Sequence, residues 1–265
     1  MTIEEILPGV QKNISLKTHT TFKIGGRAKY FFVAKTKKDL IGAIKVAKKL
    51  KLPFFVLGGG SNLLISDRGF KGLVIKFGQP LSLYVSKGLE WAVGIPGTFQ
   101  GAVWSNAGAF KKSMKDVVKE VEVFDTKTGK VKIFKNKNCR FSYRNSIFKK
   151  EKNLIILSVK IKSKKSNTKK IKKYLDYRKK TQPLEFPSAG SIFKNPVGFS
   201  AGELIARVGL KGKKIGQAQI SEKHANFIVN LGGATAKDVK KLINLIKKSV
   251  KKKFKINLEE EIQFL

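Results

Sequence analysis

Three consecutive glycines, followed by a serine and an asparagine, occupy Gly58–Asn62 directly after the apolar run Phe54–Leu57. The apolar run predicts a buried strand, and a glycine turn at the end of a strand lets backbone N–H groups approach an anion closely. Proteins hold phosphate and pyrophosphate groups in this way. Glycine-rich turns are also common as plain loops, so this turn by itself leaves both interpretations open.

Five further segments have residue types that could act together with this turn. Each is rich in glycine or places polar and charged groups beside apolar residues, and they occupy Gly94–Thr98, Ser105–Ala109, Tyr143–Ser146, Ser188–Pro196 and Leu258–Ile262. Together with the first turn, they favour an enzyme that binds a phosphorylated cofactor.

Ser191 lies between Gly190 and the apolar pair Ile192–Phe193, which should fix its backbone beside a packed strand. A serine hydroxyl can deliver a proton when a neighbouring group polarises it. A hydrolytic triad is a poor alternative, because no Ser/His/Asp set is apparent upstream. From the pattern alone, an ordinary loop hydroxyl remains the more usual role for this residue.

Arg144 follows Tyr143 in a stretch where aromatic and basic residues alternate. A guanidinium group is permanently charged and can stabilise an enolate oxygen as it develops. The alternative role is an ion pair at the surface or between domains.

The C-terminal segment 254–264 alternates as a strand, with Ile256, Leu258, Ile262 and Phe264 on one face. Its acidic residues Glu259 and Glu261 then point the other way, where they could line a cleft. From the pattern alone, an exposed polar face is the favoured interpretation.

The chain has 265 residues, of which 42% are apolar, so it can bury a substantial core and has room for two domains. The acidic N-terminus lacks the pattern of a secretory signal, and no run approaches the ~18 apolar residues of a membrane span. We therefore expect a soluble cytoplasmic protein. Cys139 is the only cysteine and His19 and His224 are the only histidines, so we expect no disulfide and no metal site.

The formal charge of +38 would normally suggest a nucleic-acid or anionic-membrane partner. Only six of the 56 basic residues are arginine, the residue favoured for bidentate recognition of bases and phosphates. A general lysine bias that covers solvated faces is the preferred explanation. A functional surface for polyanions is the alternative.

The periodicity predicts a strand at Tyr30–Ala34 and a helix that begins at Thr36, with Asp39 completing a capping box. Valine-rich strands are expected at Leu73–Phe77, Val117–Phe124, Val131–Phe134 and Leu154–Ile161. The lysine and serine run at 162–180 indicates a domain boundary near its start, followed by a smaller unit with a periodic helix at 239–250.

In this order, the segments above, together with Thr20–Gly26 and Ser221–Phe227, closely resemble the UDP-N-acetylenolpyruvoylglucosamine reductase family. Its members are FAD enzymes that make UDP-N-acetylmuramate for bacterial peptidoglycan. The resemblance runs from about Asn13 to the last residue and is to the shorter subtype. It implies an α+β fold: a two-subdomain FAD-binding unit of the PCMH or vanillyl-alcohol-oxidase type over 1–162, then a smaller α+β substrate-binding domain over 163–265.

The resemblance also implies a two-step reaction and a role for each catalytic residue. NADPH reduces FAD, and UDP-N-acetylglucosamine enolpyruvate then accepts hydride from the flavin at its vinyl carbon. Arg144 and Glu261 would stabilise the enolate, and Ser191 would protonate the adjacent carbon. The protein is expected to act as a monomer without a specific nucleic-acid or membrane partner.

Further positions match the binding residues of the family. Those that match substrate contacts are Tyr143, Lys194, Asn195, His224 and Asn226. Those that match FAD contacts are Gly58, Gly59, Gly60, Ser61, Asn62, Ile95, Pro96, Gly97, Thr98, Gly101, Ala102, Asn106, Gly108 and Arg178. The FAD should be non-covalent, because the glycine-containing segments hold no histidine or cysteine.

Two features depart from the family pattern. Gln100 stands where a pair of glycines is usual before Ala102, so its side chain should either crowd the flavin or be accommodated in a shifted turn. The stretch 78–87 is shorter than in relatives by several tens of residues, which abridges the FAD-binding unit. Two rival functions remain: another FAD-linked oxidoreductase of the same fold, and a lysine-rich nucleic-acid-binding protein.

Overall fold

The computed structural model describes residues 2–265. Two compact units are formed by interleaved segments of the chain. The first unit contains the residues up to Lys12 together with Tyr30–Gly59 and Lys71–Asp176, and the second contains Asn13–Lys29, Gly60–Phe70 and Tyr177–Leu265. The predicted domains at 1–162 and 163–265 use a single boundary instead, and they stay a prediction.

Both units contain helices and strands. The α-helices are α1 (Ile3–Ile6), α2 (Lys37–Lys49), α3 (Phe99–Ser105), α4 (Met114–Val117), α5 (Ile147–Lys150), α6 (Thr168–Thr181), α7 (Ala201–Arg207) and α8 (Ala236–Phe254). The strands are β1 (Gln11–Ser15), β2 (Arg27–Val33), β3 (Phe54–Leu57), β4 (Leu63–Leu64), β5 (Phe70–Lys76), β6 (Gly108–Ala109), β7 (Lys112–Ser113), β8 (Val118–Asp125), β9 (Lys130–Lys135), β10 (Leu154–Ile161), β11 (Ser188–Ser191), β12 (Lys214–Ile215), β13 (Ala218–Ile220), β14 (Phe227–Asn230) and β15 (Gln263–Phe264).

The first hydrophobic core of the first unit lies against a sheet of order β1-β2-β5-β3, in which β3 runs parallel to β5. Helix α2 contributes Leu40, Ile44 and Ala47 to this core. Its start is fixed because Thr36 and Asp39 each accept a hydrogen bond from the other's backbone N–H, at 3.1 and 2.9 Å. The predicted strand, capped helix and second strand before the glycine turn are confirmed.

The second core of the first unit packs on the antiparallel sheet β10-β8-β9. The residues Phe99 and Val103 of α3 and Phe148 of α5 are buried in it. Asp125 ends β8 and organises the turn to β9, where its carboxylate pairs with Lys132 at 2.7 Å. The hydrogen bond from Lys132 holds the pKa of Asp125 well below its usual range, and the one from Asn153 adds to the effect. The presence of two cores agrees with the predicted two-subdomain unit.

The second unit is built around the sheet β11-β14-β13-β12 and the long helix α8. The apolar stripe of α8, which includes Val239, Leu242 and Ile246, is fully buried in the core of this unit. The carboxylate of Asp67 accepts hydrogen bonds from the first backbone N–H groups of α8, at 2.8 and 3.2 Å, and so caps the helix from a distant part of the chain.

The C-terminal strand predicted over 254–264 is wrong for most of its length. Helix α8 continues to Phe254, Lys255 takes a left-handed backbone conformation that ends it, and only Gln263–Phe264 forms a strand. Leu258 and Ile262 are buried as expected, but Phe264 is 46% exposed. The difference arises because the residues before Gln263 make only an isolated bridge, between Phe193 and Glu260, rather than a continuous ladder.

Within residues 2–265, no helix combines the length and the apolar character that a membrane span requires. The same part of the chain holds no cluster of three or more His, Cys, Asp or Glu side chains arranged to bind a metal ion.

Candidate active site

The structure brings the chain segments of Ser191 and Glu261 side by side in the second unit. Ser191 ends strand β11, opposite Phe227 of β14. The backbone carbonyl of the next residue, Ile192, accepts a hydrogen bond of 2.8 Å from the N–H of Glu261, and the Ile192 N–H donates to the carbonyl of Asn226 at 2.8 Å. Main-chain bonds on both sides therefore fix the backbone that carries the predicted proton donor.

Asn226 supports this strand with its side chain as well. Its amide donates to the carbonyl of Phe193 at 2.8 Å and accepts from the Phe193 N–H at 2.9 Å. Asn226 is buried, and both the oxygen and the nitrogen of its side-chain amide are hydrogen-bonded to the backbone of Phe193. The prediction that Asn226 contacts the substrate stays a prediction, but its structural role is clear.

Lys194 and Asn195 follow the same strand. Lys194 forms an ion pair with Glu259, which places a positive and a negative side chain beside the Ser191 segment. The Asn195 side chain accepts a hydrogen bond of 3.0 Å from the N–H of Ala201 at the start of α7. Both predicted substrate residues thus lie within a few residues of Ser191, on backbone that is held in place.

His224 is a half-buried imidazole in the second unit. Its Nδ1 atom accepts a hydrogen bond of 3.3 Å from the Asn226 N–H, and its ring packs against Phe227 with 4.8 Å between ring centres. Burial lowers the pKa of His224 below its ordinary value of 6.5, and the charge of Lys211 lowers it further. At neutral pH the imidazole is therefore uncharged and can offer a substrate hydrogen bonds but no positive charge.

The glycine turn divides between the two units, and its second part lies with Glu261. The side-chain amide of Asn62 donates a hydrogen bond of 3.0 Å to the backbone carbonyl of Glu261. Gly60 has a left-handed backbone with φ of 63°, and a Cβ atom there would collide with the carbonyl of His19. The sequence pattern identified Asn62 only as a cofactor residue and gave no signal of its contact with Glu261.

The first part of the glycine turn meets the second predicted cofactor turn inside the first unit. A Cβ atom on Gly58 would lie 2.5 Å from the hydroxyl oxygen of Thr98, and one on Gly59 would collide with the Cα of Gly97. The two turns therefore pack directly against each other, and a Cβ atom on either glycine would force them apart. This cradle fits a cofactor with a pyrophosphate group.

The remaining cofactor positions of the first unit surround helix α3. Ile95 and Pro96 precede the turn, and Thr98 caps the helix by accepting a 3.2 Å hydrogen bond from the N–H of Gly101. Ala102 is buried in the following turn of the helix. Gly108 lies in β6, where a Cβ atom would be 2.9 Å from that of Ser113. A side chain at position 108 would therefore force β6 away from Ser113 of β7.

Asn106, at the end of α3, links this region to the turn that carries Arg144. The residue has a left-handed backbone and is only 5% exposed. Its amide donates to the carbonyl of Ser142 at 2.8 Å and accepts from the N–H of Lys115 at 2.9 Å. Both ends of the side chain are therefore used inside the protein, and its contact with the cofactor stays a prediction.

Arg144 is presented on a tight turn in the first unit. Ser142 and Asn145 exchange backbone hydrogen bonds of 3.0 and 3.1 Å, and Arg144 between them has φ of 54°. This conformation is unfavourable for arginine, so the surrounding bonds must impose it. The guanidinium lies over the ring of Tyr143, 5.2 Å from the ring centre, and Tyr143 is 54% exposed.

Two predicted cofactor residues of the second unit complete the set. Ser61 is half-buried and lies between Gly60 and Asn62. Arg178 is in the last turn of α6 and is 7% exposed. Burial lowers the pKa of Arg178, but a guanidinium keeps its charge at physiological pH.

Comparison with known proteins defines the class of this chain first and its family second. A model described as "FAD binding domain" matches residues 28–86 and one described as "UDP-N-acetylenolpyruvoylglucosamine reductase, C-terminal domain" matches residues 182–265. Together with the glycine cradle, these matches define an FAD-dependent oxidoreductase. Relatives that align with nearly the whole chain show that it belongs to the UDP-N-acetylenolpyruvoylglucosamine reductase family, which confirms the resemblance and the fold class.

Proteins that carry the family name align with this chain over nearly their whole length. The reductase of Caldanaerobacter subterraneus subsp. tengcongensis is 43% identical, with 96% of this chain and 92% of the relative covered. The reductase of Caldicellulosiruptor bescii is 44% identical, with 96% and 90% covered. The crystal structure of the enzyme from Thermus caldophilus is 34% identical and superposes with a TM-score of 0.81, with 96% of this chain and 98% of that chain covered.

The first two alignments also bear on the predicted shortening. They extend over 282 and 283 positions, more than the 265 residues of this chain, so both relatives contain residues that this chain lacks. In the stretch predicted to be shortened, this chain has a 3₁₀ turn at Leu81–Lys87 between β5 and the second glycine turn.

Proposed function

We propose that this protein reduces UDP-N-acetylglucosamine enolpyruvate to UDP-N-acetylmuramate, with FAD as cofactor and NADPH as electron donor, in the synthesis of peptidoglycan precursors. The observation that carries the proposal is the pairing of the Ser191 and Glu261 segments through the Ile192 carbonyl. These are the two residues that the family resemblance identifies as proton donor and catalytic glutamate.

When bound, FAD supplies the hydride transfer, and the residues of this chain supply orientation, charge and a proton. Ser191 delivers its hydroxyl proton to the carbon next to the one that receives hydride. Its backbone is held on both sides, so the hydroxyl starts from a fixed Cα position and little ordering is needed during the reaction.

Glu261 and Arg144 stabilise the negative charge that develops before this proton arrives. Arg144 contributes a permanent positive charge from its strained turn. The backbone of Glu261 is anchored by Ile192 and by the amide of Asn62. The roles of both side chains come from the resemblance, and the anchoring supports the assignment of Glu261.

Substrate and cofactor contacts follow the same assignment. Tyr143, Lys194, Asn195, His224 and Asn226 bind the nucleotide sugar, and uncharged His224 acts through hydrogen bonds. The FAD-binding unit corresponds to 1–162 and the substrate-binding domain to 163–265. The protein works as a monomer in the cytoplasm and contributes, through peptidoglycan, to cell shape and division.

The test is a flavin spectrum followed by a substrate-dependent assay. Purified protein should show non-covalent flavin bands in the near-ultraviolet and blue. Without the enolpyruvyl nucleotide it should consume NADPH only until its flavin is reduced, and with the nucleotide it should oxidise NADPH continuously, with UDP-N-acetylmuramate identified by mass. A colourless protein that takes up no added FAD would contradict the proposal. So would NADPH oxidation that is unaffected by the nucleotide, which would favour another flavoenzyme of this fold.

A further inference from the structure

The connection after β5, residues 78–87, folds directly onto the second glycine turn of the first unit. Pro80 forms an antiparallel bridge with Thr98. The N–H of Leu81 donates to the carbonyl of Gly97 at 3.0 Å, and the N–H of Phe99 donates to the carbonyl of Gln79 at 2.8 Å. The backbone of Gln79–Leu81 is therefore paired with the backbone of Gly97–Phe99, on both sides of Thr98.

The side chain of Gln100 forms hydrogen bonds with both this connection and strand β10. Its Oε1 atom accepts a hydrogen bond of 3.0 Å from the N–H of Gln79, and its Nε2 atom donates to the carbonyl of Leu157 in β10 at 3.4 Å. The second bond is long and the weaker of the two. One amide thus joins the connection to a strand of the second core of the first unit.

Aromatic packing reinforces the same contact. The ring of Tyr84 stacks on the ring of Phe99 with 3.8 Å between centres, and the Tyr84 hydroxyl donates a hydrogen bond to the side chain of Gln79. Gly78 has φ of 118°, and a Cβ atom there would lie 2.9 Å from the Oε1 of Gln100. The fit between the connection and residues 97–100 is therefore close at both ends.

These contacts decide how a glutamine is accommodated where family members have glycine. The side chain of Gln100 is used within the packing of the first unit, with the connection and with β10. A glycine at this position would remove the acceptor of the Gln79 N–H and the hydrogen bond from Gln100 to the Leu157 carbonyl in β10.

We propose that Gln100 is a positioning residue for the flavin turn: its amide ties the short connection 78–87 to β10 and so holds Gly97–Thr98 in the conformation that binds FAD. The proposal rests on the FAD-binding role of Gly97 and Thr98 in the proposed function.

The test is the affinity of the FAD-free protein for added FAD, measured by quenching of flavin fluorescence. Gln100→Met keeps the size of the side chain and removes both hydrogen bonds, whereas Gln100→Glu keeps the acceptor for Gln79 and loses the donor to Leu157. Gln219→Met, which removes a 3.1 Å side-chain bond to the Gly212 carbonyl in the second unit, is the matched control.

We expect the dissociation constant of FAD to rise about 5- to 100-fold in Gln100→Met, the range expected when a partly buried side chain loses two ordinary hydrogen bonds. The dissociation constant should rise in Gln100→Glu as well, because the tie to β10 is lost, and it should not rise in Gln219→Met. Gln219→Met separates positioning from a general loss of structure, because the midpoint of thermal unfolding of the FAD-free protein should fall in both methionine variants, whereas FAD affinity should fall only in Gln100→Met.

Two outcomes would overturn the inference. If Gln100→Met or Gln100→Glu binds FAD as tightly as the unmodified protein, Gln100 does not position the turn. If the unmodified protein itself binds no FAD, the proposed function fails together with this inference.

Discussion

The segment that carries Ser191 and the turn that contains Gly97–Thr98 are held in place by different kinds of contact. Beside Ser191, the backbone of Ile192 is held by backbone hydrogen bonds to Asn226 and Glu261, which depend little on side-chain identity. Around Thr98, the side chains of Gln100 and Tyr84 add to the backbone pairing. Substitutions near Ser191 should therefore reveal chemistry, and substitutions near Thr98 should reveal cofactor positioning.

The largest effect is expected at Ser191. Ser191→Ala should slow reoxidation of the reduced flavin by the enolpyruvyl nucleotide by ~10²–10⁴-fold, since a positioned proton donor contributes about that much. Reduction of the flavin by NADPH should stay nearly unchanged. Stopped-flow absorbance of the flavin measures both steps.

Ser188→Ala is the control, because Ser188 lies on the same strand and has no assigned chemical role. Both half-reactions should proceed normally in this variant. Cysteine at position 191 should partly restore reoxidation, because a thiol can also donate a proton. Equal slowing by Ser188→Ala and Ser191→Ala would show that strand structure, rather than the hydroxyl, limits the rate.

A smaller effect is expected at the point where the two glycine turns meet. Gly59→Ala forces a Cβ atom against the Cα of Gly97, so the turns must separate. We expect a loss of about 1–3 kcal/mol in the free energy of unfolding, as for other overpacked sites, and weaker FAD binding. Denaturant unfolding and FAD titration measure the two effects.

Gly42→Ala provides the contrast within the same unit. Gly42 lies in α2, and its Cβ atom would meet no heavy atom within 4 Å. Replacing a glycine in a helix interior by alanine should stabilise the protein by about 0.5–1 kcal/mol. Equal destabilisation by both variants would contradict the description of the cradle.

The Arg144 turn should respond to a change in Asn106. Asn106→Asp keeps the acceptor for the Lys115 N–H and loses the donor to Ser142, so the turn is held less firmly. We expect reoxidation of the flavin to slow by about tenfold, equivalent to roughly 1.4 kcal/mol of transition-state stabilisation.

Asn136→Asp makes the same chemical change without touching that turn, because the Asn136 amide donates to the carbonyls of Lys115 and Val118. Both variants should lose stability in urea unfolding, but only Asn106→Asp should slow reoxidation. If flavin reoxidation has a similar rate in the two variants, Asn106 does not position Arg144.

The smallest effect is a dependence of stability on pH that originates at His224. The folded-state pKa lies below the ordinary value of 6.5, so the unfolded state binds more protons as the pH falls below that value. The contribution of His224 is therefore complete above pH 6.5 and is lost as the pH falls through the folded-state pKa. Unfolding free energies between pH 7 and pH 5 should decline less steeply in His224→Gln, and identical slopes would contradict this account.

The predictability of each feature from the sequence follows from the kind of interaction that holds it. Capping boxes and apolar stripes are local, so helices α2 and α8 and the strands of the β8 sheet could be predicted from spacing alone. The C-terminal strand could not, because its apolar residues pack without a continuous ladder partner. The contacts of Asn62, Asn106 and Gln100 depend on residues far away in the chain, and no local pattern signals them.

The most direct test of the division between proton delivery and cofactor positioning compares Ser191→Ala and Gln100→Met in one stopped-flow experiment, with each protein saturated with FAD. We predict that Ser191→Ala binds FAD normally, is reduced by NADPH normally and is reoxidised slowly. Gln100→Met should need more FAD for saturation and then be reoxidised at the normal rate. Slow reduction with normal reoxidation in Ser191→Ala, or slow reoxidation in saturated Gln100→Met, would contradict the account.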